Sequence, residues 1–175
     1  IAGWSLGGTV ALYSAWSPII DILGIDFDAH LPFYPAAHIR PEIQNWSDSP
    51  ILILHGEEDD WTPIHLVEEL ITQLPNARLH PYPDAHHGFD SEKELTFLPK
   101  AVRLRKRTVR IGKNGYMSGE ILPGIRLTLN ERWQRKWVIR LLRNRGAHAG
   151  GNPSARADSL ERGKNFFLEQ LSQDC

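Results

Sequence analysis

Apolar and polar positions divide the chain into two unlike parts. Pro50-Ile51-Leu52-Ile53-Leu54-His55 is a continuous apolar run of strand length. Such a run predicts a strand buried on both faces, as in a parallel sheet covered by helices on each side. After an acidic loop at 56–61, Ile64, Val67, Leu70, Ile71 and Leu74 recur at helical spacing and predict an amphipathic helix. Thr62 is placed to cap this helix, Pro63 suits its first position, and Pro75-Asn76 ends it. Residues 77–82 read as another short strand and 83–89 as the loop after it. Upstream, the stretch from Gly7 to about Trp16 has no breaker after its glycines and predicts a helix that stops at Ser17-Pro18. Residues 27–34 alternate imperfectly and read as a strand weakened by Pro32. Residues 36–49 read as loop, with a short helix over 41–46. Strands that alternate with helices through short loops predict an α/β fold with a parallel sheet.

From residue 91 the pattern changes. Residues 102–111 are basic and alternate like a strand, and Lys113-Asn114-Gly115 is a hairpin signal. Residues 131–143 form an amphipathic helical pattern. Trp133, Trp137, Val138, Leu141 and Leu142 lie on one side, with Arg132, Arg135, Lys136, Arg140 and Arg143 mostly on the other. Residues 146–151 read as a flexible connection. Asn152-Pro153 opens a last helix to about Leu171, with Leu160, Phe167 and Leu171 as its buried ridge.

Charge sharpens this division. The net charge of −1 hides an acidic first part, with 15 Asp/Glu against 3 Lys/Arg over 1–99. Residues 100–145 invert it, with 14 Lys/Arg against 2 Asp/Glu. We read 100–145 as a basic insertion within one domain spanning 1–175, packed on the acidic body. The alternative is binding of nucleic acid or an anionic surface. No nucleic-acid motif is present, so no nucleic-acid partner is expected. At 175 residues, 41% hydrophobic and 23% charged, the composition is that of an ordinary globular domain. No apolar run reaches transmembrane length, so no membrane span is expected. The single cysteine, Cys175, excludes an internal disulfide and a CxxC metal site. None of the eight histidines shows a metal-ligand spacing such as H-E-x-x-H, and no metal or cofactor is expected.

Three loops carry the candidate chemistry. Gly3-Trp4-Ser5-Leu6-Gly7-Gly8 has the form of a strand-to-helix elbow that holds a serine clear of the sheet. Small residues at Gly3 and Gly7 relieve crowding at such a turn, and Gly8 lets the helix approach the strand. The helix N-terminus, at the Leu6 N–H, offers a donor for an oxyanion. The acidic loop offers Asp59, with Asp60 as its rival. The third loop offers His87, with His86 as its rival. Each loop follows a strand, so all three belong at one edge of a parallel sheet. The order Ser…Asp…His is that of a nucleophile, an orienting acid and a base on α/β-hydrolase folds. Trp4, Tyr34 and Trp61 are candidates to line a substrate pocket.

Gly-Trp-Ser-Leu-Gly-Gly at 3–8, Pro-Ile-Leu-Ile-Leu-His-Gly-Glu-Glu-Asp-Asp-Trp-Thr-Pro at 50–63 and Tyr-Pro-Asp-Ala-His-His-Gly-Phe-Asp at 82–90 together resemble the dienelactone hydrolase family. Phe33-Tyr34-Pro35 and the last helix are also similar to it. The resemblance covers about 1–90 and 146–172. It implies an α/β-hydrolase fold, a nucleophile at Ser5, an acid at Asp59, a base at His87 and small-molecule ester or lactone substrates. Many members carry cysteine where this chain has Ser5. The family also carries strands, and a loop with a second oxyanion donor, ahead of the elbow. The chain is therefore expected to be the C-terminal portion of such a fold, without its native N-terminus, and to be incomplete and inactive alone. Prolyl-oligopeptidase-like peptidases share the general form and supply a second reading. A non-catalytic binding module using 100–145 is the third.

Overall fold

The computed structural model describes residues 1–104 and 109–172. In chain order the elements are β1 (Ala2–Trp4), α1 (Leu6–Tyr13), α2 (Ser17–Leu23), β2 (Leu31–Phe33), β3 (Ile39–Pro41), β4 (Ile51–Gly56), α3 (Ile64–Ile71) and β5 (Ala77–Tyr82). They continue with β6 (Thr96–Leu104), β7 (Val109–Ile111), β8 (Met117–Leu122), β9 (Ile125–Thr128), α4 (Arg132–Leu142), β10 (Arg143–Ala149) and α5 (Pro153–Leu171). The main sheet is parallel, in the order β1-β2-β4-β5. A two-stranded antiparallel ribbon joins β6 to β10, and a small sheet runs β3-β7-β8-β9. The α/β architecture with a parallel sheet follows the sequence pattern.

β4 shows why the continuous apolar run is a strand. Successive side chains point to opposite faces. Ile51 and Ile53 enter one core with Leu12, Trp16, Trp46, Val67 and Leu70. Leu52 and Leu54 enter the other with Phe33, Tyr82, Phe89 and Phe166. Both faces are dry, and His55, the polar residue that ends the run, lies with Nδ1 3.0 Å from Gly56 O while its buried Nε2 has no partner among the described residues. Pro32 sits in the interior strand β2, where it leaves a gap in the ladder. The His30 N–H bonds Pro50 O at 2.9 Å and the Tyr34 N–H bonds Leu54 O at 2.8 Å, and Pro32 between them has no N–H to give.

Several expectations are corrected. No helix forms over 41–46. Residues 39–41 are β3, and Trp46 is buried against Tyr13 and Trp16, which holds that stretch in irregular form. Thr62 does not cap α3. Pro63 occupies the cap position, and the Thr62 hydroxyl points to Asp59 instead. Residues 146–149 are not a flexible connection but part of β10. Gly146 forms the bulge between Arg145 and Ala147, and a side chain there would strike the Phe97 ring at 2.5 Å. The expected basic strand over 102–111 is divided between β6 and β7, and its residues 105–108 lie outside the described residues. The ridge of α5 is Ala155, Ser159 and Phe166, with Gly163 against Leu31, while Leu160 is exposed. The Leu171 side chain and Cys175 lie outside the described residues. Asn152 caps α5, accepting the Ala155 N–H at 3.1 Å, with Pro153 next to it.

Besides His87, three histidines are buried in this body: His30, His38 and His55. Burial lowers the pKa of each below the ordinary value, against opposing hydrogen bonds to backbone carbonyls. The native state therefore refuses protons that the unfolded chain accepts below about pH 6.5. Stability rises with pH in that window and falls on acidification, by up to about 1.4 kcal/mol per pH unit for each histidine. Thermal midpoints measured from about pH 7.5 to 5 should fall steadily below about pH 6.5. A flat profile would show that these imidazoles are not held neutral.

Candidate active site

The site is built on the carboxyl ends of β1, β4 and β5. Ser5 is the single residue between β1 and α1. Its backbone takes φ 53° and ψ −115°, a left-handed conformation that serine rarely adopts. Such strain persists only where surroundings over-determine it. Here the Ser5 N–H bonds Phe33 O at 3.0 Å, and Ser5 O accepts the Thr9 N–H at 2.9 Å. The serine side chain makes no cap to its own helix. Its Oγ lies instead 2.8 Å from Nε2 of His87. The N–H of Leu6, the first residue of α1, has no partner available within its helix.

The glycines of the elbow have separate tasks. A Cβ on Gly3 would lie 2.2 Å from Gly7 O, and one on Gly8 would lie 2.4 Å from Phe33 O. Both obstacles are backbone. A Cβ on Gly7 would meet nothing within 4 Å. The missing side chain of Gly3 thus makes room for the Gly7 backbone, while the missing side chain of Gly7 relieves no contact. Gly3→Ala and Gly8→Ala should each destabilise by roughly 2–4 kcal/mol and displace Ser5. Gly7→Ala should change stability by less than about 1 kcal/mol. Chemical denaturation of the three variants checks the contrast.

Asp59 is buried, with 3% of its surface exposed, and its two oxygens divide their work. Oδ1 accepts the Trp61 N–H at 2.9 Å and the Thr62 N–H at 2.8 Å. Oδ2 accepts the Thr62 hydroxyl at 2.9 Å and lies 2.8 Å from Nδ1 of His87. Burial pulls the Asp59 pKa up. The hydrogen bond and charge of His87, with smaller help from His55 and the Thr62 N–H, outweigh it and hold the carboxyl below its ordinary range. An ionised Asp59 can only accept, so His87 carries its proton on Nδ1. Nε2 is then left as an acceptor facing Ser5. The Thr62 hydroxyl also lies 3.1 Å from His87 Nδ1 and 3.2 Å from Tyr34 O, which ties the acid loop to β2.

Structure thus brings Ser5, His87 and Asp59 into one hydrogen-bonded chain, and separates their rivals from it. Asp60 faces away. It accepts the His148 N–H at 2.8 Å, lies 3.0 Å from His148 Nδ1 and 3.8 Å from Arg103. The His86 ring packs on His148 at 5.5 Å. His87 itself is clamped between rings, Tyr34 at 4.7 Å and Trp61 at 4.9 Å. The Tyr34 hydroxyl bonds Asp90 at 2.7 Å; burial and that carboxylate push its pKa above the ordinary value, so it stays a donor. Trp61 gives its ring N–H to Val102 O at 3.0 Å, which joins the acid loop to β6. Trp4 is half-exposed and stacks on Phe33 at 5.0 Å, not on His87. The last strand closes the His loop from behind, since the Gly150 N–H bonds His87 O at 2.9 Å.

Sequence reasoning missed Thr62 as a buttress of Asp59. The signal was present in the spacing, because a threonine three residues after an aspartate can close a turn on its carboxylate. Among the described residues, no group of three His, Cys, Asp or Glu side chains gathers in a way that could hold a metal ion.

A parallel sheet flanked by helices, with a strained serine at the first strand-to-helix turn, defines the chain as an α/β-hydrolase fold. Residues 1–109 match the model of the dienelactone hydrolase family, and the chain belongs to that family. Among solved structures it is similar to esterase PE8, at 25% identity and a TM-score of 0.39, covering 50% of this chain and 41% of that one. It is similar to MGS-M1, an α/β hydrolase from a Medee basin deep-sea metagenome library, at 23% identity and 0.36, covering 50% and 39%. Est1E from Butyrivibrio proteoclasticus matches at 23% and 0.35, covering 49% and 51%. The chain therefore spans about two fifths to one half of the length of these structures. No curated protein matches it.

Proposed function

We propose that the protein hydrolyses carboxylic ester or lactone bonds in small molecules through an acyl-enzyme, with Ser5, His87 and Asp59 as its triad. The observation that carries this reading is the pair of 2.8 Å contacts from Ser5 Oγ to His87 Nε2 and from His87 Nδ1 to Asp59. They run through a serine held at positive φ. Family membership supports the same bond class.

Ser5 Oγ attacks the carbonyl carbon while its proton passes to His87 Nε2. Asp59 stabilises the imidazolium and keeps the ring oriented. The Leu6 N–H is placed to donate to the oxyanion at the start of α1, where the helix dipole adds positive charge. His87 then returns the proton to the departing alkoxide, which in a lactone remains tethered to the acyl group. Water repeats the sequence with His87 as base, releasing the acid and restoring Ser5. The base must be neutral to accept a proton, so turnover falls on acidification.

An activated ester such as a p-nitrophenyl acyl ester, given to the full-length protein, tests this directly. The expected result is a rapid burst of nitrophenol, one per protein molecule at most, followed by slower turnover. Hydrolysis without an acyl intermediate, or at a rate independent of Ser5, would remove the proposal.

A further inference from the structure

Helix α4 is covered on one side only. Val138 is buried and Leu142 half-buried where it packs on β8 and β9. Trp133, Trp137 and Leu141 recur at i, i+4 and i+8 and are 66%, 60% and 50% exposed. At this spacing they form one continuous apolar stripe in water. About a quarter turn away, Arg132, Lys136 and Arg140 form a second exposed stripe, and Arg143 is exposed just past the helix end. Among the described residues none of these four makes an ion pair.

Among the described residues, the acidic part of the chain makes no ion pair with these four cations. Among the described residues two ion pairs cross from the basic segment to residues 1–99, Arg103–Asp60 at 3.8 Å and Arg110–Glu42 at 3.7 Å. The segment holds 14 Lys/Arg against 2 Asp/Glu. Leu122 and Ile125, at the tip of the β8–β9 hairpin, are also exposed, at 59% and 50%.

We propose that α4 docks this protein on an anionic lipid bilayer, lying in the plane of the headgroups. Indole rings are amphipathic and settle at the boundary between hydrocarbon and headgroups. A helix with tryptophan on one flank and Lys/Arg beside it can insert the first and set the second at headgroup level. An anionic surface meets the unpaired cations at the same time, which a neutral bilayer cannot do. No helix of the described residues is long and apolar enough to cross a membrane, so the contact is interfacial.

Co-sedimentation of the purified protein with vesicles decides the matter. One set is phosphatidylcholine alone, and the other contains roughly a quarter phosphatidylserine. Partition to the second should be at least about tenfold stronger and should weaken as salt is raised. Trp133→Ser with Trp137→Ser, and separately Lys136→Gln with Arg140→Gln, should each reduce it about tenfold. All four side chains are exposed, so circular dichroism should stay unchanged. If the tryptophan pair alters the fold, the Lys136/Arg140 pair alone decides. Equal partition to both vesicles, no partition, or unchanged partition of the Lys136/Arg140 pair overturns the proposal. So does a wild-type dimer that the tryptophan pair turns into monomers, or binding of duplex DNA in preference to the phosphatidylserine vesicles.

Discussion

Replacing Ser5 by alanine should lower ester hydrolysis by about 10⁴- to 10⁶-fold, with the fold intact. Without Oγ, His87 Nε2 has no proton to take, and no acyl-enzyme forms. Any residual rate comes from water attacking a carbonyl whose oxygen the Leu6 N–H holds. The substitution is clean because neither serine nor alanine is favoured at φ 53°, so the backbone strain stays the same. The serine side chain makes no helix cap that alanine would remove. Stability should therefore shift by less than about 1 kcal/mol. Steady-state kinetics on an activated ester, with a denaturation curve beside it, separates loss of chemistry from loss of structure.

Asp59→Asn should lower kcat by about 10⁴-fold. Two backbone N–H groups, from Trp61 and Thr62, converge on Oδ1. They require an acceptor and fix the asparagine amide so that its oxygen faces them. Its NH₂ then stands where Oδ2 faced His87 Nδ1. A donor there forces the imidazole to carry its proton on Nε2, and that ring cannot accept from Ser5. Flipping the amide would set NH₂ against two N–H donors, so the protein has no easy escape. Asp60→Asn keeps an acceptor for the His148 N–H and touches no triad member, so it should cost less than about tenfold. Comparing kcat for the two neighbouring variants tests the assignment of the acid.

What the sequence made legible follows from how local each signal is. The apolar run at 50–55 and the strand at 77–82 are bounded by proline or glycine and need no distant partner to be recognised. The three candidate loops are legible for the same reason, because each is a short motif attached to the end of such a strand. Asp59 and Asp60 are neighbours in one loop, and what distinguishes them physically is that one carboxylate turns inward to Thr62 and the other outward to His148. That distinction is tertiary. The β6–β10 ribbon was hidden because its strands lie far apart in sequence, and Gly146 makes a bulge in one of them look like a loop. Thr62 was misread because its position suits a helix cap as well as a turn on Asp59. For α4, the periodic pattern located the helix and its tryptophan stripe. It could not say that only Val138 would be covered, since amphipathicity names a face without naming what lies against it.

The proposed function depends on Ser5 being a nucleophile activated by His87. Treating the protein with a fluorophosphonate and locating the adduct by peptide mass spectrometry tests it most directly. One adduct is expected, on the peptide that carries Ser5, absent in Ser5→Ala and formed at least about 10³-fold more slowly in His87→Ala. An unlabelled Ser5, or labelling that proceeds at the same rate without His87, would contradict it.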